Sequence, residues 1–135
     1  MTARLNGLVK SLLGKPVEWG IDDCLLTAMN VSEAITGRDP APTLRNLYHT
    51  KMEAMRVIKE FGGDDYLSVI GAVASKLGYP EIAAVDAVAG DIGILVEKDL
   101  PATACRIEQG WLLRAEFGIA IRPTVLRAWS VACRC

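Results

Sequence analysis

One cysteine, followed by an apolar helical stretch, offers this chain its clearest chance of chemistry. Within Val17-Glu18-Trp19-Gly20-Ile21-Asp22-Asp23-Cys24-Leu25-Leu26-Thr27-Ala28-Met29 a short extended run ends at a glycine. Two carboxylates follow, and Cys24 then stands in the first turn of a helix that the spacing predicts. Asp22 or Asp23 suits the N-cap, where a short side-chain oxygen accepts a hydrogen bond from an otherwise orphan amide. A sulfur at a helix N-terminus meets the positive end of the macrodipole, which favours a thiolate and hence nucleophilic attack. The two aspartates act against this, because nearby negative charge disfavours a further anion. Cys24 is thus the candidate nucleophile, vestigial or weak unless a base is brought to it. His49, the sole histidine, falls in a polar loop and is expected to be solvated there.

The remaining thiols, Cys105, Cys133 and Cys135, allow a second chemistry. Together with Cys24 they number enough for a tetrahedral zinc or an iron–sulfur cluster. Cys133-x-Cys135 is not a CxxC pair, although a regular strand would point both sulfurs the same way. If Ala104 faces a groove shared with Cys24, strand alternation turns Cys105 the other way. Scattered thiols and no cofactor are the default expectation, with the four-cysteine site as the alternative. Asp22 and Asp23 are expected to serve as caps.

The elements that must position these residues are legible from periodicity. Leu5, Leu8, Val9 and Leu12 fall at helical spacing between Thr2 and Leu13, and Gly14 with Pro16 ends that helix. The helix opened at Cys24 carries Leu25, Ala28, Val31 and Ala34 and stops at Gly37; Pro40 to Asn46 is a connection. Thr50-Lys51-Met52-Glu53 is a capping-box pattern that starts a helix ending at Gly62-Gly63. Asp64 or Asp65 starts another, with Leu67, Ile70, Val73, Ala74 and Leu77 as its apolar stripe. Past Pro80 the character changes. Ala89-Gly90-Asp91 is a turn, and strands are expected at Ile92–Val96, Ala102–Glu108, Trp111–Ala115, Gly118–Arg122 and Leu126–Ala132. Helices followed by short strands define an α+β class with an antiparallel sheet or small barrel. Trp19 and Trp129 are expected to be buried, and the arginines between Arg106 and Arg134 to lie on a solvated sheet face or a docking surface.

Composition sets outer bounds. A chain of 135 residues, half of them apolar and with a net charge of −1, is one domain with enough core to fold without staples. Near-neutral charge gives no footprint for nucleic acid, and no apolar run reaches the roughly 18–20 residues of a membrane span. The start, Met1 to Asn6, lacks the apolar centre of a signal peptide, which predicts a cytoplasmic beginning.

The order of these features resembles the NlpC-type, papain-like cysteine peptidases: Trp-Gly-x-x-Asp-Cys opening a helix, Thr36-Gly37, a Gly-Gly helix end, and Ala89-Gly90-Asp91-Ile92 leading a strand. The likeness is nearest to a phage-encoded offshoot, a domain of unknown function found among tail-morphogenesis proteins. There an Arg-x-x-Tyr segment precedes an Ala-rich helix ending in Gly-Gly, matched here by Arg45, Tyr48, Ala54 and Gly62-Gly63. A Gly-Leu turn, a proline and Ala-Trp close the pattern, matched by Gly118-Ile119, Pro123 and Ala128-Trp129. In the peptidases a histidine on the strand after the Gly-Asp strand activates the cysteine. The corresponding segment here, Ala102-Thr103-Ala104-Cys105-Arg106-Ile107, has none, and Ala102 or Ala104 stands in that place according to register. Alanine accepts no proton, and a Cys-His mechanism needs its base within hydrogen-bond reach.

The resemblance therefore implies three alternatives. The first is a catalytically degenerate domain that is a structural or assembly component of a phage or prophage tail tip. Its partners would be other phage tail proteins, and it would reside in the virion tail after synthesis in the host cytoplasm. The second is a cysteine hydrolase that cleaves peptidoglycan peptides with Cys24. The third is a tail component stabilised by a zinc or iron–sulfur site on Cys24, Cys105, Cys133 and Cys135.

Overall fold

Four helices precede six strands in a computed structural model that describes residues 3–60, 66–98 and 100–132. The helices are α1 (Ala3–Leu12), α2 (Leu26–Thr36), α3 (Lys51–Glu60) and α4 (Tyr66–Lys76). The strands are β1 (Glu81–Ile82), β2 (Ile92–Glu97), β3 (Leu100–Ile107), β4 (Gly110–Ala115), β5 (Gly118–Arg122) and β6 (Arg127–Trp129). Single 3-10 turns occupy Pro42–Leu44 and Ala84–Asp86. The capping box forms as expected: Thr50 Oγ1 accepts the Glu53 amide at 3.1 Å, and Glu53 Oε1 accepts the His49 amide at 2.8 Å. The expected cap at Thr2, the Gly62-Gly63 stop and the starts at Asp64 or Asp65 lie outside the described residues.

The strands form one antiparallel open sheet in the order β1-β6-β2-β3-β4-β5. β2 to β5 run as a meander of neighbours; β6 returns across the sheet to pair with β2. The class is α+β, and the sheet does not close into a barrel. The last strand is shorter than expected. After Trp129 the amides of Val131 and Ala132 leave the ladder and donate to the Asp91 carboxylate at 2.9 and 3.0 Å.

Alternation gives the sheet two apolar faces. Ile92, Ile94, Cys105, Ile107, Leu112 and Trp129 pack against the helices, α2 foremost. Leu95, Ala102, Ala104, Trp111, Leu113 and Ala128 form a second cluster on the opposite face. Trp111 packs there because Gly93 leaves room: a Cβ at Gly93 would stand 2.8 Å from Trp111 Cζ3 and 2.9 Å from Val125 Cγ2. Trp129 is buried as expected, whereas Trp19 is only half-buried against the helix-side core.

The expectation of a solvated arginine face fails at Arg114, whose side chain is fully buried. On β4 it falls on the helix-facing side, where solvent is excluded and main-chain oxygens replace it. Its Nε donates to Asp22 O at 2.9 Å, Nη1 to Gly118 O at 2.8 Å and Ala115 O at 3.2 Å, and Nη2 to Lys15 O at 2.8 Å. Asp22 Oδ1 lies 3.6 Å from Nη2. The guanidinium fork thus bolts the α1–α2 connection onto the β4–β5 turn. Arg122 and Arg127 do lie at the surface, paired with Glu97 and Glu81.

Candidate functional site around Cys24

Asp22 and Asp23 are neighbours with different tasks. Asp23 Oδ1 accepts the amides of Leu25 at 2.9 Å and Leu26 at 2.8 Å, while its main-chain oxygen accepts Thr27 N at 3.0 Å. Those bonds make Asp23 the cap of the turn that runs through Cys24 and Leu25 into α2. Asp23 Oδ2 also takes the Gly20 amide at 2.9 Å. Asp22 caps nothing in α2. Its carboxylate accepts the Glu18 amide at 2.9 Å and pairs with Lys15 and Arg114. Burial opposes its ionisation, but the Lys15 and Glu18 hydrogen bonds and the charges of Lys15 and Arg114 prevail, holding the carboxyl below its ordinary range.

Tyr48 completes this cradle. It is buried, and its hydroxyl hydrogen-bonds the Asp23 carboxylate. Burial first, then the negative charge of Asp23, push the phenol far above its ordinary range, so it remains a donor. The Tyr48 segment crosses so close to Gly20 that a Cβ there would stand 2.0 Å from Tyr48 O, and Gly20 has φ of 87°. Only glycine satisfies both conditions. Arg45, three residues earlier, clasps Asp39 through Nε at 2.7 Å and Nη2 at 2.9 Å and also reaches Asn30 of α2. The Arg-x-x-Tyr segment therefore holds the chain against α2 and the cysteine turn.

Cys24 itself is half-exposed. Its carbonyl accepts the amide of Thr103 on β3 at 3.3 Å. This overturns the expectation that Ala102 or Ala104 occupies the place of a base. Both alanines belong to the opposite face of the sheet. The alternate residues Thr103, Cys105 and Ile107 share the helix-facing side, because the helices cover that face. Thr103 is therefore the strand residue that meets the cysteine turn, and it is fully buried. A threonine hydroxyl has no basicity near neutral pH with which to draw a proton from a thiol. The positive end of α2 is also occupied, since the Leu25 and Leu26 amides already bind Asp23.

His49 is exposed, as expected, and its Nδ1 lies 3.6 Å from where a Cβ on Gly20 would stand. Cys105 faces the helix-side core, not away from it as alternation about Ala104 predicts. Burial pushes its thiol well above the ordinary range, and the nearby Asp91 charge adds to this. Cys133 and Cys135 lie outside the described residues. Among the described residues no three His, Cys, Asp or Glu side chains gather as metal ligands. An apolar cavity between α4 and the sheet, beside Trp129 and Val131, measures about 20 Å³. That volume accommodates about one water molecule.

Sequence reasoning missed Thr103 and Arg114 as members of this region. Helix-facing parity, had it been assigned from Ile92, Ile94 and Ile107 together, would have selected Thr103. No local signal marks Arg114, because the acceptors that tie it to the α1–α2 connection, Asp22 O and Lys15 O, lie 92 and 99 residues away in sequence.

Among the described residues no helix is long and apolar enough to cross a membrane. No curated protein and no solved structure matches the chain. A family model described as a domain of unknown function matches residues 1–131, nearly the whole sequence and with it every residue of the Cys24 cradle. The chain thus belongs to the DUF6950 family.

Proposed function

We propose that this protein is a catalytically degenerate NlpC-like domain, papain-like in fold, that serves as a structural or assembly component of a phage or prophage tail tip. The observation that carries the loss of catalysis is the pairing of Cys24 with Thr103 where a peptidase needs an imidazole. The surrounding polar groups support it. Asp23 is committed to three amides and Tyr48, and Asp22 to Lys15 and Arg114. Groups engaged in this way hold the helix to the sheet. The tail assignment rests on the order of motifs from Trp19 to Trp129, and its partners are other tail proteins. A fold does not confer the chemistry found elsewhere on it, which is why the residues at the site decide.

The test has two arms. Purified protein is incubated with cell-wall fragments and the soluble peptides are measured, with Cys24→Ala as control. No Cys24-dependent release is expected; release that the substitution abolishes would make the chain a peptidoglycan hydrolase instead. Particles purified from an induced host are then analysed by mass spectrometry. The chain is expected in tails or tail intermediates, and its absence from both removes the structural role. Elemental analysis of anaerobically purified protein decides the metal alternative: about one zinc per chain, lost in Cys133→Ser, would establish a four-cysteine site.

A further inference from the structure

α3 has two unlike sides. Ala54 and Val57 are buried, on the side that meets the rest of the molecule. At about 100° per residue, Lys51, Met55, Lys59, Met52 and Arg56 follow one another around the opposite side within an arc of about 140°. All five are exposed, Met52 at 81% and Met55 at 55%. The two carboxylates of the helix, Glu53 and Glu60, fall outside that arc, and Glu53 is engaged by the His49 amide.

The positive charge on this face is unanswered. Arg4, Arg45, Arg122 and Arg127 are each paired with a carboxylate, whereas Lys51, Arg56 and Lys59 carry no ion pair among the described residues. Three cations thus surround two thioether side chains on a chain whose net charge is −1. The outer face of an amphipathic helix needs only solvated polar residues. Met52 and Met55, at i and i+3, are instead neighbours that form one apolar patch. Methionine adapts to irregular partner surfaces, and the cations around it select an acidic one.

We propose that this face of α3 docks an acidic amphipathic helical segment of a partner protein. The partner's aliphatic side chains lie over Met52 and Met55, and its carboxylates meet Lys51, Arg56 and Lys59. The 10 residues of α3 span about 15 Å, which about three turns of partner helix match. So small an area makes a weak contact, suited to one of several in an assembly. Nucleic acid and lipid fit this face less well. Three cations neutralise few phosphates, and a phosphate backbone makes no use of thioethers. Two methionines bury too little apolar surface to hold a helix in a bilayer interface. α3 offers this surface whether or not the chain is a tail component, and testing it requires no phage particle.

Amide shifts of the isotope-labelled full chain are followed by NMR while a synthetic helix is added to about 1 mM. The peptide carries leucines along one stripe and glutamates on either side of it. Shifts centred on α3 are expected, and they should weaken as salt rises. The same peptide with lysine in place of glutamate should leave α3 unmoved. Lys51→Glu combined with Arg56→Glu should lower the affinity at least about tenfold, a change of about 1.4 kcal/mol. Both positions are exposed, and a carboxylate at 51 lies in the first turn, where the helix dipole favours it, so the melting temperature should hold. Met52→Ser combined with Met55→Ser should also weaken binding, which attraction between charges alone would not. Vesicles of phosphatidylglycerol and phosphatidylcholine should bind less tightly than the acidic peptide. The proposal falls if α3 shows no shifts, if the lysine peptide binds as well, if either double variant binds like the parent, or if the vesicles bind more tightly.

Discussion

The main-chain amide of Thr103 donates to the carbonyl oxygen of Cys24 across 3.3 Å, tying the cysteine turn to the third strand. A turn held this way keeps Cys24 at the sheet surface, half in contact with water, while Cys105, two residues along the strand from Thr103, is sealed beneath the helices. The two thiols therefore differ in access, and burial raises the Cys105 thiol above its ordinary range.

Alkylation should separate them. Under native conditions near neutral pH, iodoacetamide is expected to modify Cys24 and to spare Cys105, whose burial both blocks the reagent and raises the thiol. In denaturant the two should react alike. Peptide mapping after a timed quench reads this directly, and native labelling of Cys105 as fast as Cys24 would contradict the packing described.

Arg114 is buried and charged, and the fold is expected to be sensitive to its replacement. Replacing it with alanine removes the donor to Lys15 O and Gly118 O, leaves Asp22 O with the Thr27 hydroxyl alone and strands Asp22 with one cationic partner fewer. Breaking a buried ion pair from one side costs about 3–5 kcal/mol, a large share of a marginal domain's stability. Arg114→Lys should rescue little, because an ammonium cannot reproduce the planar fork that reaches several carbonyls at once. Chemical denaturation of the two variants measures this; a lysine variant as stable as the parent would show that charge alone suffices.

Asp22 gives the fold an acid limb. Its folded carboxyl is held below the ordinary range, so the unfolded chain binds the proton first as pH falls. The stabilisation is fully present above the unfolded value of about 3.9 and is lost as pH drops through the lower folded value. Asp39, Glu81 and Glu97 are depressed as well and share this limb. The contribution of Asp22 is therefore the difference between the parent and Asp22→Asn. The variant is expected to be less stable at neutral pH, with the gap closing below about pH 4. A gap that stays constant down to pH 2 would assign the loss to shape rather than charge.

How far the sequence disclosed the fold follows from the range of the interactions involved. The cap at Thr50 and Glu53, the glycine stop at Gly37 and the bounds of β5 depend on residues close in the chain, and all were legible. The choice between Asp22 and Asp23 was open because both are carboxylates beside the helix start; Asp22 is drawn away from it by Lys15, the Glu18 amide and Arg114, the last some 92 residues downstream. The place of Thr103 was misread for a related reason. Alternation fixes that Thr103 and Ala104 face opposite ways, but which face the helices cover is decided by the packing of α2, not by the strand. Tyr48 was legible as part of a motif, yet its hydroxyl's partner, Asp23, lies across the fold on the cysteine turn.

Asp91 should govern the end of the chain. The residue is fully buried, and its Oδ1 accepts the amides of Val131 and Ala132 while Oδ2 accepts Val88 N at 2.8 Å. One carboxylate thus closes the turn before β2 and turns the chain out of β6. Arg38 adds a donor to Val131 O from the end of α2. Asp91→Ala deprives three amides of their acceptor, and with each buried unsatisfied group costing about 1–3 kcal/mol the variant should lose at least about 3 kcal/mol. Asp91→Asn keeps an oxygen for Val131 and Ala132 but sets an amide group against Val88 N–H, so it should fall between alanine and the parent. Hydrogen exchange gives the local readout. In the asparagine variant the Val131 and Ala132 amides should retain protection while Val88 loses it, whereas in the alanine variant all three should exchange far ahead of core amides such as that of Leu112. If Val131 and Ala132 stayed protected without the carboxylate, the chain's exit from β6 would have to be held by something other than Asp91.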